Sequence, residues 1–201
     1  MILDKRADLG HGDVKKLLFS LSVPTITSQI VNMLYNLVDR VFIGHMQPAE
    51  TVGKLALTGV GVCLPIIMVI SAFASLMAIG GAPRASIAEG AGESEKSERI
   101  MGNCLTMLVI TALVLTVLFE SFAEPLLLMF GASENTIGYA LDYMRIYALG
   151  TIFVQLTLGM NAFITAQGFA TTGMLTVLIG AVCNIAPVSY THLTLPTNSR
   201  V

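Results

Sequence analysis

The sequence predicts an all-α polytopic membrane helix bundle with about five transmembrane helices. Three observations predict it: 54% of the 201 residues are hydrophobic, only 12% are charged, and the apolar residues gather into long uninterrupted runs. Average soluble domains carry about 25% charge, roughly twice this value. Mean hydropathy is +0.76, as expected of a chain that turns most of its surface toward lipid. The net charge of -2, with no long basic cluster, offers no field for holding a nucleic acid.

Five apolar segments follow in order, over residues 17–43, 55–82, 100–122, 137–166 and 174–186. The first four exceed the roughly 20 residues that cross a bilayer as a helix, whereas the fifth offers only about 13 before Pro187. Residues 1–16 are expected to be a cytoplasmic N-terminal segment and 17–186 a partial transmembrane bundle. The stretch 187–201, "PVSYTHLTLPTNSRV", is Thr-rich, proline-punctuated and without helical periodicity, so it is expected to be a foreign or disordered tail. The loop "GGAPRASIAEGAGESEKSERI" after the second span reads as a solvated connector, with Ser94 and Ser97 as capping candidates for the third helix and Glu95–Arg99 as an exposed i,i+4 pair.

Basic residues set the orientation, because loops rich in Lys and Arg stay on the cytoplasmic side. Lys5, Arg6, Lys15 and Lys16 precede the first span, and Arg84, Lys96 and Arg99 fall between the second and third. The loop before the fourth span has Glu124 and Glu134 and no base, so the N-terminus is predicted to be cytoplasmic. The first apolar run is too long for a cleaved signal peptide.

Cys63, Cys104 and Cys183 are scattered singly through apolar runs and read as lipid- or core-facing thiols. His11, His45 and His192 are equally dispersed. No paired nucleophile and base, phosphate-binding glycine loop or metal spacing is visible, so the chain is not expected to be an enzyme.

On a helix over 17–43, Thr25, Ser28, Asn32, Tyr35, Asn36 and Asp39 recur at steps of three and four and share one face. Lipid cannot satisfy such a stripe, so it is expected to face protein or a water-filled cavity. Asp39 lies near the far end of the run, where an interfacial Asp39–Arg40 pair and a cavity-facing carboxylate are both open readings. Pro24 is a candidate bend. Asp142 and Arg145, spaced i,i+3, read as a local ion pair; Gln155, Asn161 and Gln167 either line a cavity or bond neighbouring helices. Gly59, Ser71, Ser75 and Ala78 are expected at close helix contacts.

With these residues assembled, the chain resembles the N-terminal part of the multidrug and toxic compound extrusion (MATE) family. The likeness rests on "LLFSLSVPTITSQIVNMLYNLVDRVFIG", "GGAPRASIAEG", "ITAQG" and "GAVCNIA". It implies a secondary antiporter of the bacterial inner membrane, exporting organic cations in exchange for sodium or protons, with no organic cofactor. It also implies a twelve-helix fold of two six-helix bundles around a central cavity. Carried over by position, Asp39 and Asn184 would be the ion-coupling residues, and sodium, if it is the coupling ion, would sit at them. Pro24 would be the bending proline, and Asn32, Tyr35, Asn36 and Asn161 would line the substrate cavity. The chain departs from the family pattern after Asn184, where a Leu-Asp-Pro run is missing, and at Phe169, where a polar residue is usual. Two alternatives accompany the antiporter reading: a lipid-linked sugar flippase of related fold, and an inert or structural membrane fragment.

Overall fold

The structure is a computed structural model that describes residues 13–44 and 49–194, with side chains defined for 13–44 and 51–183. The elements are α1 (Val14–Gly44), a single π-helical turn (Ala49–Gly53), α2 (Lys54–Gly90), α3 (Ser94–Met129), α4 (Ile137–Leu149), α5 (Thr151–Ala166) and α6 (Ala170–Thr194), with no strand among the described residues. Three helices (α1, the run into α2, and α3) are long and apolar enough to cross a membrane, and α4 with α5 makes a fourth span bent by 55°. The fifth predicted span, on α6, is shorter than that standard over Ala170–Cys183.

α2 is the axis of the bundle. Its buried residues Ala56, Gly59, Val60, Cys63, Ile66, Ile70, Ala74, Ala78, Gly81, Ala82, Ala85 and Ala88 recur at helical spacing, which turns one continuous small-residue face toward α3, α4 and α5. Where lipid tails are as apolar as the helices, close backbone approach rather than water exclusion drives association. A Cβ at Gly81 would stand 2.5 Å from Cys104 Sγ and 2.7 Å from Phe163 Cζ, and one at Gly59 would stand 3.0 Å from the Ala140 backbone nitrogen. Of the four residues expected at close contacts, Gly59 and Ala78 are buried, Ser71 is half-buried and Ser75 is exposed. Outward-facing Met68, Leu76, Ile79, Val117 and Phe153 form the lipid-facing surface.

The expected solvated connector after the second span is corrected: "GGAPRASIAEG" is the last part of α2, and only residues 91–93 separate it from α3. Glycine, proline and charge suggested a loop, but Ala82, Ala85 and Ala88 are buried, the first two beside Phe163, and that packing holds the helix despite Pro83. α2 ends when Gly92 takes φ +79. The Glu93 amide then donates to the Ala88 carbonyl at 2.9 Å and the Gly92 amide to Glu89 at 3.0 Å, a Schellman ending that closes the orphan carbonyls. Gly131 and Gly168 end α3 and α5 in the same way. Glu93, rather than Ser94 or Ser97, occupies the cap position of α3, with no side-chain capping bond. The exposed Glu95–Arg99 pair forms at 2.7 Å.

Two breaks shape the far end. α3 loses helical geometry at Phe122, three residues before Pro125, whose ring crowds the preceding turn. The segment read as one span over 137–166 divides at Gly150, where Thr151 Oγ1 donates back to the Tyr147 carbonyl at 3.3 Å. α6 runs past Pro187 to Thr194, so part of the expected tail is helical; a single proline removes one backbone bond without halting a helix. Residues 195–201 lie outside the described residues.

Consecutive long helices reverse direction through short connections. The ends of α1 and α3 therefore meet the starts of α2 and α4 at one pole, and the ends of α2 and α5 meet the starts of α3 and α6 at the other. α1 packs chiefly on α6 and lightly on α2, leaving α1 and α6 as a pair beside the four-helix remainder.

Candidate functional site: the polar face of α1

The predicted stripe exists and is divided. Ser28 is buried, and Asn32, Tyr35 and Asp39 are half-buried, all on the side of α1 turned toward the other helices. Thr25 and Asn36 sit on its exposed flank, while Ile26, Ile30, Met33, Leu37 and Val41 occupy the opposite face. The flank satisfies itself: Thr25 Oγ1 donates to the Leu21 carbonyl at 2.8 Å, Ser28 Oγ to Thr25 at 2.8 Å, and Asn36 Nδ2 to the Asn32 carbonyl at 2.7 Å. Hydroxyl back-bonding around Pro24, which already lacks an amide donor, loosens the backbone ladder at this point of α1.

Asp39 and Arg40 are both half-buried near the end of α1. Across from them, α4 presents Tyr143 and Tyr147, whose rings stack at 6.1 Å between centroids. The Tyr143 phenol lies within electrostatic range of Asp39, Arg40, Tyr35 and Cys63, and the Tyr147 phenol within range of Tyr35. Cys63 is fully buried here, 3.5 Å from the Ala140 carbonyl. A carboxylate and a guanidinium on α1 are thus within electrostatic range of a phenol on α4. Phenols can donate to a carboxylate or to a bound ion's water without adding charge of their own.

The remaining predicted residues are placed as follows. Asn161 Nδ2 donates to the Gly173 carbonyl and to Thr176 Oγ1, each at 3.3 Å, tying α5 to α6. Gln155 is fully buried and Nε2 donates to the Ile70 carbonyl at 2.9 Å, bonding α5 to α2. Asp142 and Arg145 are exposed and form no ion pair with each other among the described residues. Asn184 lies on α6 past the last described side chain. No group of three or more His, Cys, Asp or Glu converges among the described residues.

The sequence reading did not single out Tyr143 and Tyr147, which lie 80 and 84 residues beyond Cys63 in a span with no polar stripe. Two polar atoms were also invisible to it: Gln155 Oε1 and Glu120 Oε1 are buried without a hydrogen-bond partner. No spacing rule reports which oxygen is covered.

Among the described residues the chain is an all-helical bundle with apolar outer surfaces and a half-buried carboxylate on the polar face of its first helix, the architecture of a polytopic membrane protein. The chain belongs to the MatE family, whose model matches residues 24–191. It is similar to the multidrug export protein MepA of Staphylococcus haemolyticus, 26% identical over 175 residues that cover 87% of this chain and 38% of the relative. It is also similar to an FAD transporter of Shewanella oneidensis, 22% identical over 180 residues covering 90% of this chain and 38% of that one. Among solved structures, a MATE transporter in complex with MaD3S superposes with TM-score 0.84 at 25% identity, over 96% of this chain and 42% of its own. The transporter DinF-BH in complex with R6G does so with TM-score 0.72 at 26% identity, over 95% and 48%. The chain therefore spans less than half the length of these relatives.

Proposed function

We propose that this chain is the N-terminal part of a secondary antiporter that exports organic cations in exchange for sodium or protons, with Asp39 as the coupling group. The observation that carries the reading is that half-buried Asp39 shares one face of α1 with Ser28, Asn32 and Tyr35, within electrostatic range of Tyr143. A carboxylate on such a face can take up a proton, an ion or a cationic cargo, and each stabilises a different state of the site. Binding one shifts the bundle between conformations and weakens the other's hold, with α1 yielding near Pro24. The reading places the N-terminus on the cytoplasmic side of a bacterial plasma membrane, from the basic residues quoted above, and gives Asn32, Tyr35, Asn36, Asn161 and Asn184 to the same pathway.

The flavin-nucleotide cargo named for the Shewanella relative would call for basic residues along the path. Arg40 is the half-buried base at this site, and Arg145 is exposed, so the chemistry favours a cation. The flippase alternative finds no support among these relatives. In proteoliposomes holding the full-length exporter that contains this segment, an imposed proton or sodium gradient is expected to drive ethidium against its own gradient. Movement that ignores both gradients would overturn the antiport reading.

A further inference from the structure

The fourth span bends by 55° where α4 and α5 meet at Gly150, and only one side of that break is satisfied by the protein. On the carbonyl side two hydroxyls stand in for lost backbone donors: Thr151 Oγ1 donates to Tyr147 at 3.3 Å, and Thr116 Oγ1 of α3 donates to Ala148 at 2.9 Å. On the amide side, Phe153 and Val154 donate to the Gly150 carbonyl at 3.0 and 3.2 Å. The Thr151 and Ile152 amides, the first two of α5, have no carbonyl partner among the described residues. Thr151 is fully buried, and lipid offers such donors nothing.

A second observation points to a ligand. Gln155 is fully buried one turn into α5, and its Oε1 has no hydrogen-bond partner among the described residues. Donation from Nε2 to the Ile70 carbonyl at 2.9 Å fixes which end of the amide is the oxygen. Oε1 of half-buried Glu120, on α3, is buried and unpartnered in the same way. Helical side chains lean toward the N-terminus of their own helix. Gln155 therefore leans back along α5 toward Thr151, and Glu120 leans back along α3 toward Thr116. Because α3 runs opposite to α4 and α5, the two lean toward each other. The Thr116–Ala148 bond sets the level at which they converge, beside the break.

We infer that the break between α4 and α5 is a water-binding site, with Gln155 Oε1 and Glu120 Oε1 as acceptors and the Thr151 and Ile152 amides as donors. The mixed set decides the ligand. A metal cation would face two amide hydrogens, an anion would face two acceptor oxygens, and an apolar group would leave all four unmet. Water both donates and accepts, and a buried water ordinarily makes about three bonds to groups the protein leaves unpaired. Bound here, it replaces the backbone bonds that the bend removes, so the fourth span is broken within lipid without stranding polar groups. The site rests on α3 and α5 alone and assumes neither a cargo nor a coupling ion.

Microsecond X-ray radiolysis of the full chain in phosphatidylcholine nanodiscs, in water enriched with oxygen-18 and read by mass spectrometry, tests it. Hydroxyl radicals formed from a bound water oxidise the side chains beside it, however deeply those are buried. Ile70, whose carbonyl holds the Gln155 amide, and Ile152 are expected to take up the isotope about threefold or more faster than Phe163. Phe163 is as buried as Ile70 and carries an intrinsically more reactive ring, so the comparison is weighted against the expected result. Gln155→Met, which keeps the length and removes the acceptor, is expected to bring Ile70 and Ile152 down to the Phe163 rate. Rates at Ile70 and Ile152 no higher than at Phe163 in the unsubstituted chain overturn the inference, whether or not the variant folds. Labelling of Gln155→Met at the unsubstituted rate overturns it too.

Discussion

Asp39→Asn in the full-length exporter is expected to reduce ion-coupled ethidium efflux to the level of cells lacking the protein, while membrane insertion stays normal. The substitution keeps shape and hydrogen-bonding capacity but removes the group that can exchange a proton or sodium for a cationic cargo. Coupling free energies between sites are typically about 1–3 kcal/mol, so their loss corresponds to a drop of roughly 5- to 150-fold in differential affinity. Insertion survives because replacing a half-buried carboxylate with an amide lowers the cost of placing α1 in the bilayer. Efflux by Asp39→Asn at the unsubstituted rate, with equal amounts of protein in the membrane, would remove Asp39 from the mechanism. Tyr143→Phe makes a useful companion, because it retains the ring stacked on Tyr147 and deletes a hydroxyl within electrostatic range of Asp39.

Gly159→Leu is expected to have the largest effect on folding. A Cβ at Gly159 would already overlap the side chain of Leu108, which is fully buried on α3. Neither helix can retreat without opening the α2–α3–α5 packing around Phe163 and Ala82. Overpacking a tight core typically costs about 1–3 kcal/mol, sometimes more. For a chain of this size each kcal/mol is worth roughly 2–4 °C of midpoint, so the melting transition in detergent should fall by about 2–12 °C or the protein should fail to elute as a single species. Gly102→Ala is the contrast, because nothing lies within 4 Å of a Cβ there. That change removes a flexible residue from the interior of α3 and should be neutral or gain up to about 1 kcal/mol. Equal melting points for the two variants would mean that the helices are not packed as described.

The sequence reveals the spans because their information is compositional: a run such as residues 100–122 has no choice but to be helical in lipid. It reveals the inward face of α1 too, since Ser28, Asn32, Tyr35 and Asp39 advertise it at helical spacing. The end of α2 is hidden because "GGAPRASIAEG" carries loop-forming residues, and only the covering of Ala82, Ala85 and Ala88 by other helices makes it helical. The 55° break at Gly150 is hidden for the opposite reason, that hydrophobicity continues unbroken across it. Tyr143 and Tyr147 join the site through tertiary packing alone. Asn161 and Gln155 carried two readings that no spacing rule separates, and in the structure both amides bond neighbouring helices.

The central claim is that the polar face of α1 looks onto water, and thiol accessibility measures that directly. In a full-length background with Cys63, Cys104 and Cys183 replaced by serine, single cysteines at Asn32, Tyr35 and Leu37 would be exposed to a membrane-impermeant maleimide in intact membranes. Maleimides react with the thiolate, which forms in water and not in lipid. Rapid labelling of Asn32→Cys and Tyr35→Cys, slowed by ethidium, together with an unreactive Leu37→Cys, is the result expected of a cargo pathway along this face. Labelling confined to Leu37→Cys, or equal silence at all three positions, would contradict it.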